Sequence, residues 1–459
     1  MAAPHTSAGP RPPLVVRRAR MAVFALFFTN GALFANVIPR YPEIKDIFGL
    51  SDFWYGLTIA LFPLGAIISG PAAAWLIRRL NSARVSTMGT VGIGVALAMV
   101  GSLAVWRESM GEGAAAGYGA PWAQGALAGV AYGLFALTYF LGGMFDSVTD
   151  VGQNAHGLRV QKYYGRSIIT AFHGAWSLGA VTGGLMGAGA VQLGLPLGWH
   201  LLVAAVLFIL VGAVAYRFAL PGRDDEPLAG AGGATGATEG LDAGAAAADA
   251  VGGAETVSGG EGPVERGVRT LNLRPGLIVG LLTLLAVSGG LVEDGGSSWM
   301  TLYMRDYLGA VGGVAGLAYV ALLASQAVGR FTADRLIDRL GPRRTLLIGG
   351  SLITVGASAA LAWPSVPLTL AAMVVAGFGS ASIVPLAMNA ADDIPGLRAG
   401  TGLTIITWLQ RLAFLLAPPL IGAIVESTTL RAAMFEIPIA GVLVLATCWV
   451  LAPRPRGRS

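Results

Sequence analysis

Residues 45–57 read Lys45-Asp46-Ile47-Phe48-Gly49-Leu50-Ser51-Asp52-Phe53-Trp54-Tyr55-Gly56-Leu57. Residues 305–317 read Arg305-Asp306-Tyr307-Leu308-Gly309-Ala310-Val311-Gly312-Gly313-Val314-Ala315-Gly316-Leu317. On this ungapped shift of 260 positions a basic-Asp pair falls on a basic-Asp pair, Gly49 falls on Gly309, and Gly56-Leu57 on Gly316-Leu317. Working outward on the same shift, Arg79-Leu80 meets Arg339-Leu340, Arg84 meets Arg344 and Gly89 meets Gly349. A second shift, of 235, places Asn154 on Asn389, Gly165 on Gly400 and Gly187 on Gly422. The offset changes because the connection from Arg107 to Gln124 is longer than its counterpart. The chain is therefore built as two copies of one unit.

The unit is membrane-spanning. Of 459 residues 54% are hydrophobic and 12% charged, with a mean hydropathy of +0.67, whereas soluble domains carry about 25% charged residues. Apolar runs near the ~20 residues that cross ~30 Å of hydrocarbon recur at 21–39, 54–77, 85–106, 125–153, 166–192, 199–220, 275–304, 313–334, 344–363, 366–390, 400–424 and 432–452. The expected fold class is an all-α membrane protein of twelve transmembrane helices in two pseudo-symmetric six-helix halves. A duplicated bundle of this kind is the build of a secondary transporter, in which two repeats rock about a midplane site.

Charge placement orients the chain. Among 30 Lys and Arg, only Arg40, Lys45, Arg107, Arg305 and Arg431 fall in loops assigned to the outside, and Arg411 lies within a span. The rest sit at the termini, in even-to-odd loops or in the span ends beside them, which puts both termini in the cytoplasm and explains the net charge of +5 without nucleic-acid binding. The N-terminus lacks a signal-peptide cleavage pattern, so the first span is expected to be retained. The expected organisation is a tail at 1–20, a six-helix bundle at 21–220, a linker at 221–270, a second bundle at 271–452 and a tail at 453–459. The linker is rich in Gly and Ala, carries nine acids from Asp224 to Glu265, and has too few large apolar residues to offset its ordering entropy. Cys448, the single cysteine, excludes an internal disulfide framework. Two lysines against an excess of arginine, with abundant Ala and Gly, favour a bacterial plasma membrane. The 67 glycines suit close helix packing in lipid, and Gly179, Gly183 and Gly187 form one such stripe.

The loop between the eighth and ninth spans carries Gly329, Arg330, Asp334, Arg335, Asp338, Arg339, Leu340, Gly341, Pro342, Arg343 and Arg344. It resembles the signature loop of the major facilitator superfamily, and a degenerate copy follows the second span at Gly70, Arg78, Arg79, Leu80, Asn81 and Arg84. The resemblance implies the major facilitator fold, with a cavity lined chiefly by the first, fourth, seventh and tenth helices, a loop that stabilises one access state, and a monomer. Asp338 near several arginines suggests a charge-paired latch; the alternative is a topology determinant. Asp150, Val151 and Asn154, followed by Phe172, His173, Ala175, Ser177, Leu178, Gly179 and Ala180, resemble the fucose:proton symporter-like branch. Glu293, Trp299, Tyr303, Arg305 and Asp306 are similar to poorly characterised bacterial transporters of that branch. Two departures stand out. The first span reads Leu33-Phe34-Ala35-Asn36-Val37 where sugar symporters of the branch have a carboxylate, and the Gly-Pro signature of many drug:proton antiporters is missing near Gly183-Gly184.

An ionisable group at membrane depth is costly and marks a pathway by default. Asp146, Asp150 and Asn154 are four apart and share one face of the fourth helix. Asp150 is the leading candidate for the coupling proton, supported by the resemblance, with Asp146 and Glu293 as further candidates; its alternative is a rim acid paired with Arg159 or Lys162. Glu293 and Asp294 interrupt the seventh span among Gly289, Gly290, Gly295 and Gly296, the kind of break where transporters place binding groups. Trp299 faces either the cavity or the membrane interface. Arg411, beside Gln410, needs a partner, either an acid or an anionic cargo. His173 is a proton shuttle or a structural residue. Asn30, Asn36, Gln326 and Asn389 are neutral candidates for hydrogen-bonding a cargo, or else inter-helix bonds.

No nucleotide-binding glycine loop, metal-ligand cluster or nucleophile elbow is present, so no cofactor, metal or enzymatic activity is expected. The expected function is secondary transport of a small polar organic solute by alternating access, coupled to protons, with lipid and protons as the other partners. The alternatives are a proton-antiporting exporter of drugs or metabolites and a non-transporting membrane receptor.

Overall fold

The computed structural model describes residues 12–111, 117–164, 167–226, 270–271, 273–392, 394, 396–398 and 400–452. Ten helices among them are long and apolar enough to cross a membrane. In chain order with two others they are α1 (Leu14–Phe48), α2 (Asp52–Leu80), α3 (Ser82–Ser109), α4 (Ala126–Gln161), α5 (Ile169–Gln192), α6 (Leu197–Tyr216), α7 (Pro275–Tyr307), α8 (Leu317–Leu340), α9 (Pro342–Ala362), α10 (Val366–Ala391), α11 (Thr401–Ser427) and α12 (Leu430–Val450). The two less apolar helices, α5 and α8, are both 24 residues long and stand where the fifth and eighth spans are expected. Gly and Ala dilute the hydropathy of α5, and the second half of α8 carries Arg330, Asp334, Arg335, Asp338 and Arg339.

The ends of these helices repeat as the sequence does. Gly49 (φ 57°) and Gly309 (φ 69°) both turn the chain through the left-handed region after α1 and α7, where a Cβ is costly. Asn81 (φ 74°, ψ 158°) and Gly341 (φ 84°, ψ 159°), also 260 apart, share one backbone conformation between α2 and α3 and between α8 and α9. Asn81 is the only non-glycine at positive φ among the described residues. Its side chain offsets the strain by accepting the Arg84 backbone N–H at 2.9 Å, as an N-cap does.

The glycine stripe of α5 lies against the backbone of α1. A Cβ on Gly179, Gly183 or Gly187 would run into the carbonyl oxygens of Phe28, Ala32 and Asn36 in turn, so the two helices meet backbone to backbone along three turns. Large apolar residues left exposed on α6, among them Leu202, Val203, Val206, Leu210 and Val214, form an outward surface suited to lipid.

With the orientation expected from the charge bias, the halves α1–α6 and α7–α12 are joined at their outer ends. Gly56 at the start of α2 lies under the Pro418 carbonyl of α11, and its repeat counterpart Gly316, just before α8, lies against Pro39 of α1 and Ala188 of α5. At the inner end lies the loop of the expected latch. Asp334, Arg335, Asp338 and Arg339 are exposed and none of them makes an ion pair among the described residues. In water such pairs contribute little. Arg343 instead lies over the Trp449 ring of α12, 3.3 Å from its centroid.

Two expected boundaries move. α1 begins at Leu14 rather than 21, because Val16 and Ala19 are buried. The chain after α6 stays tied to the bundle through Asp224. Asp224 accepts the Ser82 backbone N–H at 2.7 Å and its hydroxyl at 2.6 Å, while Arg159 donates to the Pro221 carbonyl at 2.8 Å and lies 3.6 Å from Asp224. The rest of the expected linker, 227–269, and the tail at 453–459 lie outside the described residues.

Candidate functional site

Three polar clusters are built by these helices. The first lies on α4 and α1. Trp176 Nε1 of α5 donates to Asn30 Oδ1 at 3.0 Å, and Asn30 stands beside the Asp146 carboxyl. One turn inward, Asn154 Nδ2 donates to Asp150 Oδ1 and to its backbone carbonyl, each at 3.0 Å. Each of the two acids thus has an amide neighbour on this face.

Asp150 is not paired with Arg159, whose guanidinium is engaged by Asp224 and the carbonyls of Leu220, Pro221 and Gly222; Lys162 is exposed. A charge from the other half acts on Asp150. Arg411 interacts electrostatically with it, and both stand at one depth. Asp150 is eleven residues from the inner end of α4 and Arg411 ten from that of α11, roughly 17 and 15 Å at 1.5 Å per residue. Arg411 Nε and Nη2 are buried with no hydrogen-bond partner, and the guanidinium lies 5.6 Å from the Trp408 ring centroid.

The second group lies in the C-terminal half. Gln326 Nε2 of α8 stands 3.5 Å from both Glu293 Oε2 of α7 and Ser380 Oγ of α10, and Tyr319 is electrostatically coupled to Glu293. Glu293 and Gln326, 33 positions apart, are thus brought together by the fold.

The third group is the outer seal. After Asp294, α7 widens into π turns at Gly295–Trp299 and Tyr303–Tyr307, a form concentrated at functional sites. Four glycines weaken the helix here, as the sequence suggests. The wide turn delivers the Ser298 carbonyl to the Tyr55 hydroxyl of α2 and seats Trp299, wholly buried, edge-on to the Tyr55 ring with centroids 5.0 Å apart. Trp299 is therefore a sealing residue between halves in this conformation, not an interface anchor. Above it Arg305 Nη1 lies 2.7 Å from Asp46 Oδ2 and Nη2 lies 3.2 Å from Oδ1. Tyr118 also donates to Asp46, at 2.8 Å; burial and then this bond push its phenol up to about 12, so it remains a donor through neutral pH. The repeat-related residue Lys45 does not mirror Arg305. It pairs with Asp52 at 3.2 Å and lies over the Tyr118 ring.

Several sequence candidates stand elsewhere. Asn36 is wholly buried and faces α6, where its Oδ1 meets His200 Nε2 at 3.0 Å while its amide donates to Ala32; it is an inter-helix bond, not a cavity group. His173 is half-buried with its ring edge-on to Phe27, centroids 5.3 Å apart. Asn389 is exposed on α10. Asp294 and Gln410 line a narrow crevice between α7 and α11 with Val287, Gly290, Leu291, Ala413, Phe414 and Ala417. Sequence reasoning missed Glu436, buried at the start of α12 with neither carboxylate oxygen partnered. It is the only acid inside its expected span, and the rule that singled out Arg411 would have found it. Tyr55 and Trp176 carried no such signal. Among the described residues no group of three or more His, Cys, Asp or Glu is placed to hold a metal ion.

Residues 282–459 match the Major Facilitator Superfamily. An uncharacterized transporter of Sinorhizobium fredii, y4wD, is 27% identical over 431 residues, covering 94% of this chain and 96% of that protein. Membrane protein MosC of Rhizobium meliloti is 24% identical over 425 residues, covering 92% and 88%. An uncharacterized MFS-type transporter of Yersinia pestis is 24% identical over 426 residues, covering 92% of each. Among solved structures, a mutant form of the nucleoside transporter NupG superposes with a TM-score of 0.63 at 13% identity, covering 94% of this chain and 98% of that one. At that identity the likeness shows the fold alone, which is the major facilitator fold.

Proposed function

Taking the chain as a multi-pass transporter of the major facilitator fold whose substrate the relatives leave unspecified, we propose that it moves a small polar organic solute across a bacterial plasma membrane by proton-coupled alternating access. The observation that carries this reading is the pairing by depth of Asp150 and Arg411 from opposite halves, inward of a seal made by Tyr55, Trp299, Asp46 and Arg305. An ion attraction that crosses between rocking halves is strong in one access state and weak in the other. A carboxylate in such a position exchanges its proton as access changes, since a nearby guanidinium favours the charged form and its withdrawal favours the neutral one. The amides of Asn30, Asn154 and Gln326 and the ring of Trp176 supply the neutral hydrogen-bonding surface a polar solute requires. The acid-then-Asn pattern at Asp150 and Asn154 supports the fucose:proton symporter-like branch as the lineage. Both termini are cytoplasmic in this reading, which the distribution of Arg supports.

The test is proton flux in proteoliposomes with a pH-sensitive probe inside, for the native protein and Asp150→Asn, across sugars, sugar acids, nucleosides and cationic dyes. Flux with one solute that disappears in Asp150→Asn is the expected result. Solute uptake without proton movement would remove the coupling, and binding of a solute without any flux would favour a receptor.

A further inference from the structure

Glu436 and Asp294 lie together directly behind the outer seal. Glu436 is 7% exposed and Asp294 is 5% exposed. A Cβ placed on Gly295 would stand 2.6 Å from Glu436 Oε1, so the absence of a side chain there lets Glu436 of α12 reach the residue next to Asp294, and the two carboxyls are electrostatically coupled. Of their four oxygens one has a donor, Asp294 Oδ1, which accepts from Ser298 Oγ at 3.0 Å; Asp294 Oδ2 and both oxygens of Glu436 have none. Neither acid makes an ion pair among the described residues. On the other side of Asp294, Gln410 is 3% exposed, lines the same crevice, and has an unpartnered Nε2.

The groups that face the pair are neutral or negative. They are Glu293 on α7, the phenols of Tyr55 on α2 and Tyr139 on α4, and the Gln410 amide on α11. Toward the outside, Arg305 is engaged by Asp46 and Asp306, and Arg431 donates to the Leu361 carbonyl. Two ionised carboxylates closed together without a cation or donors are a costly arrangement. One proton between them removes a charge and supplies a missing donor. From these contacts we infer that Asp294 and Glu436 form a proton-binding site that holds one shared proton while the outer gate is closed, and whose emptying opens that gate.

Ser298 links the site to the gate. Its hydroxyl bonds Asp294 while its carbonyl receives the Tyr55 hydroxyl from the opposite half. Repulsion within the emptied pair therefore acts on the very π turn that seals the halves. Gln410 lines the crevice beside Asp294 on the α11 side, the side of Arg411. This inference rests on the transport reading only in treating the seal as a gate; it assigns the pair a role separate from that of Asp150.

The experiment measures the distance across the outer face, using spin labels at Leu193→Cys and Val311→Cys, both on exposed outer loops, in a Cys448→Ser background reconstituted in lipid discs. The expected result is an open-to-closed ratio that rises with pH between about 5 and about 9, by up to about tenfold per pH unit, the limit for one proton. Glu436→Gln reproduces the singly protonated pair and stays closed throughout, as does Asp294→Asn. Ser298→Ala leaves both carboxyls in place, keeps the chain's fold independent of the charge substitutions, and shifts the transition. A ratio independent of pH in the parent, or a transition unchanged in Glu436→Gln and Ser298→Ala, overturns the inference. Loss of proton-driven uptake in Asp150→Asn alongside an unchanged Glu436→Gln transition would remove this site and leave the transport reading standing; the reverse pattern would remove the Asp150 relay alone.

Discussion

Removing the charge of Asp46 should loosen the outer seal by a calculable amount. Arg305 grips Asp46 with both terminal nitrogens, at 2.7 and 3.2 Å, which is the geometry that makes a surface pair count. Two unit charges about 4 Å apart attract by about 4 kcal/mol at an effective dielectric of about 20. The side chains are 30% and 34% exposed, however, and Asp306 shares the guanidinium, so water screening and competition bring the net to about 1 kcal/mol. Asp46→Asn should then raise the open-to-closed ratio of the outer face about fivefold. The labelled Leu193→Cys and Val311→Cys pair reads that ratio directly. A double-mutant cycle with Arg305→Gln isolates the pair: the double variant should open no further than the more open single variant. Raising salt should shrink the effect, because a third-exposed pair is partly screened. A ratio unchanged in Asp46→Asn, or effects of the two substitutions that simply add, would refute the assignment of this pair to the gate.

Four further outcomes follow from the same geometry. Gly183→Leu should leave little folded protein after solubilisation, because its side chain enters the Ala32 carbonyl and overpacking costs about 1–3 kcal/mol or more; the fraction recovered as a single species by size-exclusion chromatography measures it. Asn81→Gly should be nearly neutral in thermal stability, whereas Asn81→Leu should cost about 2 kcal/mol, combining left-handed strain with the lost cap to Arg84. Asp224→Asn should cost about 1 kcal/mol by weakening its bonds to Ser82 and its ion pair with Arg159, read as earlier proteolysis of the chain after α6. Asn36→Ala should lower stability without changing solute affinity, since its partner is His200 of α6, and a changed affinity in uptake assays would return it to the cavity.

What was legible before the structure was of two kinds. Spans were legible because lipid demands about twenty apolar residues in a row, and the residues at the repeat shift kept their backbone roles, as Gly49 and Gly309 or Asn81 and Gly341 do. Single ionisable residues inside spans were legible for the same reason, and Glu436 was overlooked only by not applying that rule to the last span. The direction of a polar side chain was not legible. Asn30 and Asn36 are six positions apart on α1, yet one bonds Trp176 near Asp146 and the other bonds His200 on the far side. In helices this apolar all round, no amphipathic stripe marks which face meets the cavity. Nor could the latch be read, because whether Asp338 meets an arginine depends on which access state the halves adopt.

By itself the chain's amino-acid order determined where its apolar helices run, their division into two related halves, and the identity of the costly residues within them. These follow from a local constraint: every backbone group in lipid must be bonded within its own helix. Only the tertiary structure decided how the duplicated Lys45-Asp46 and Arg305-Asp306 pairs are used. Arg305 crosses to Asp46, while Lys45 stays within its half on Asp52. It also decided that Glu436, Gly295 and Asp294 meet behind Tyr55 and Trp299. Such meetings depend on how helices more than a hundred residues apart are rotated against each other, and packing of the whole bundle sets that rotation.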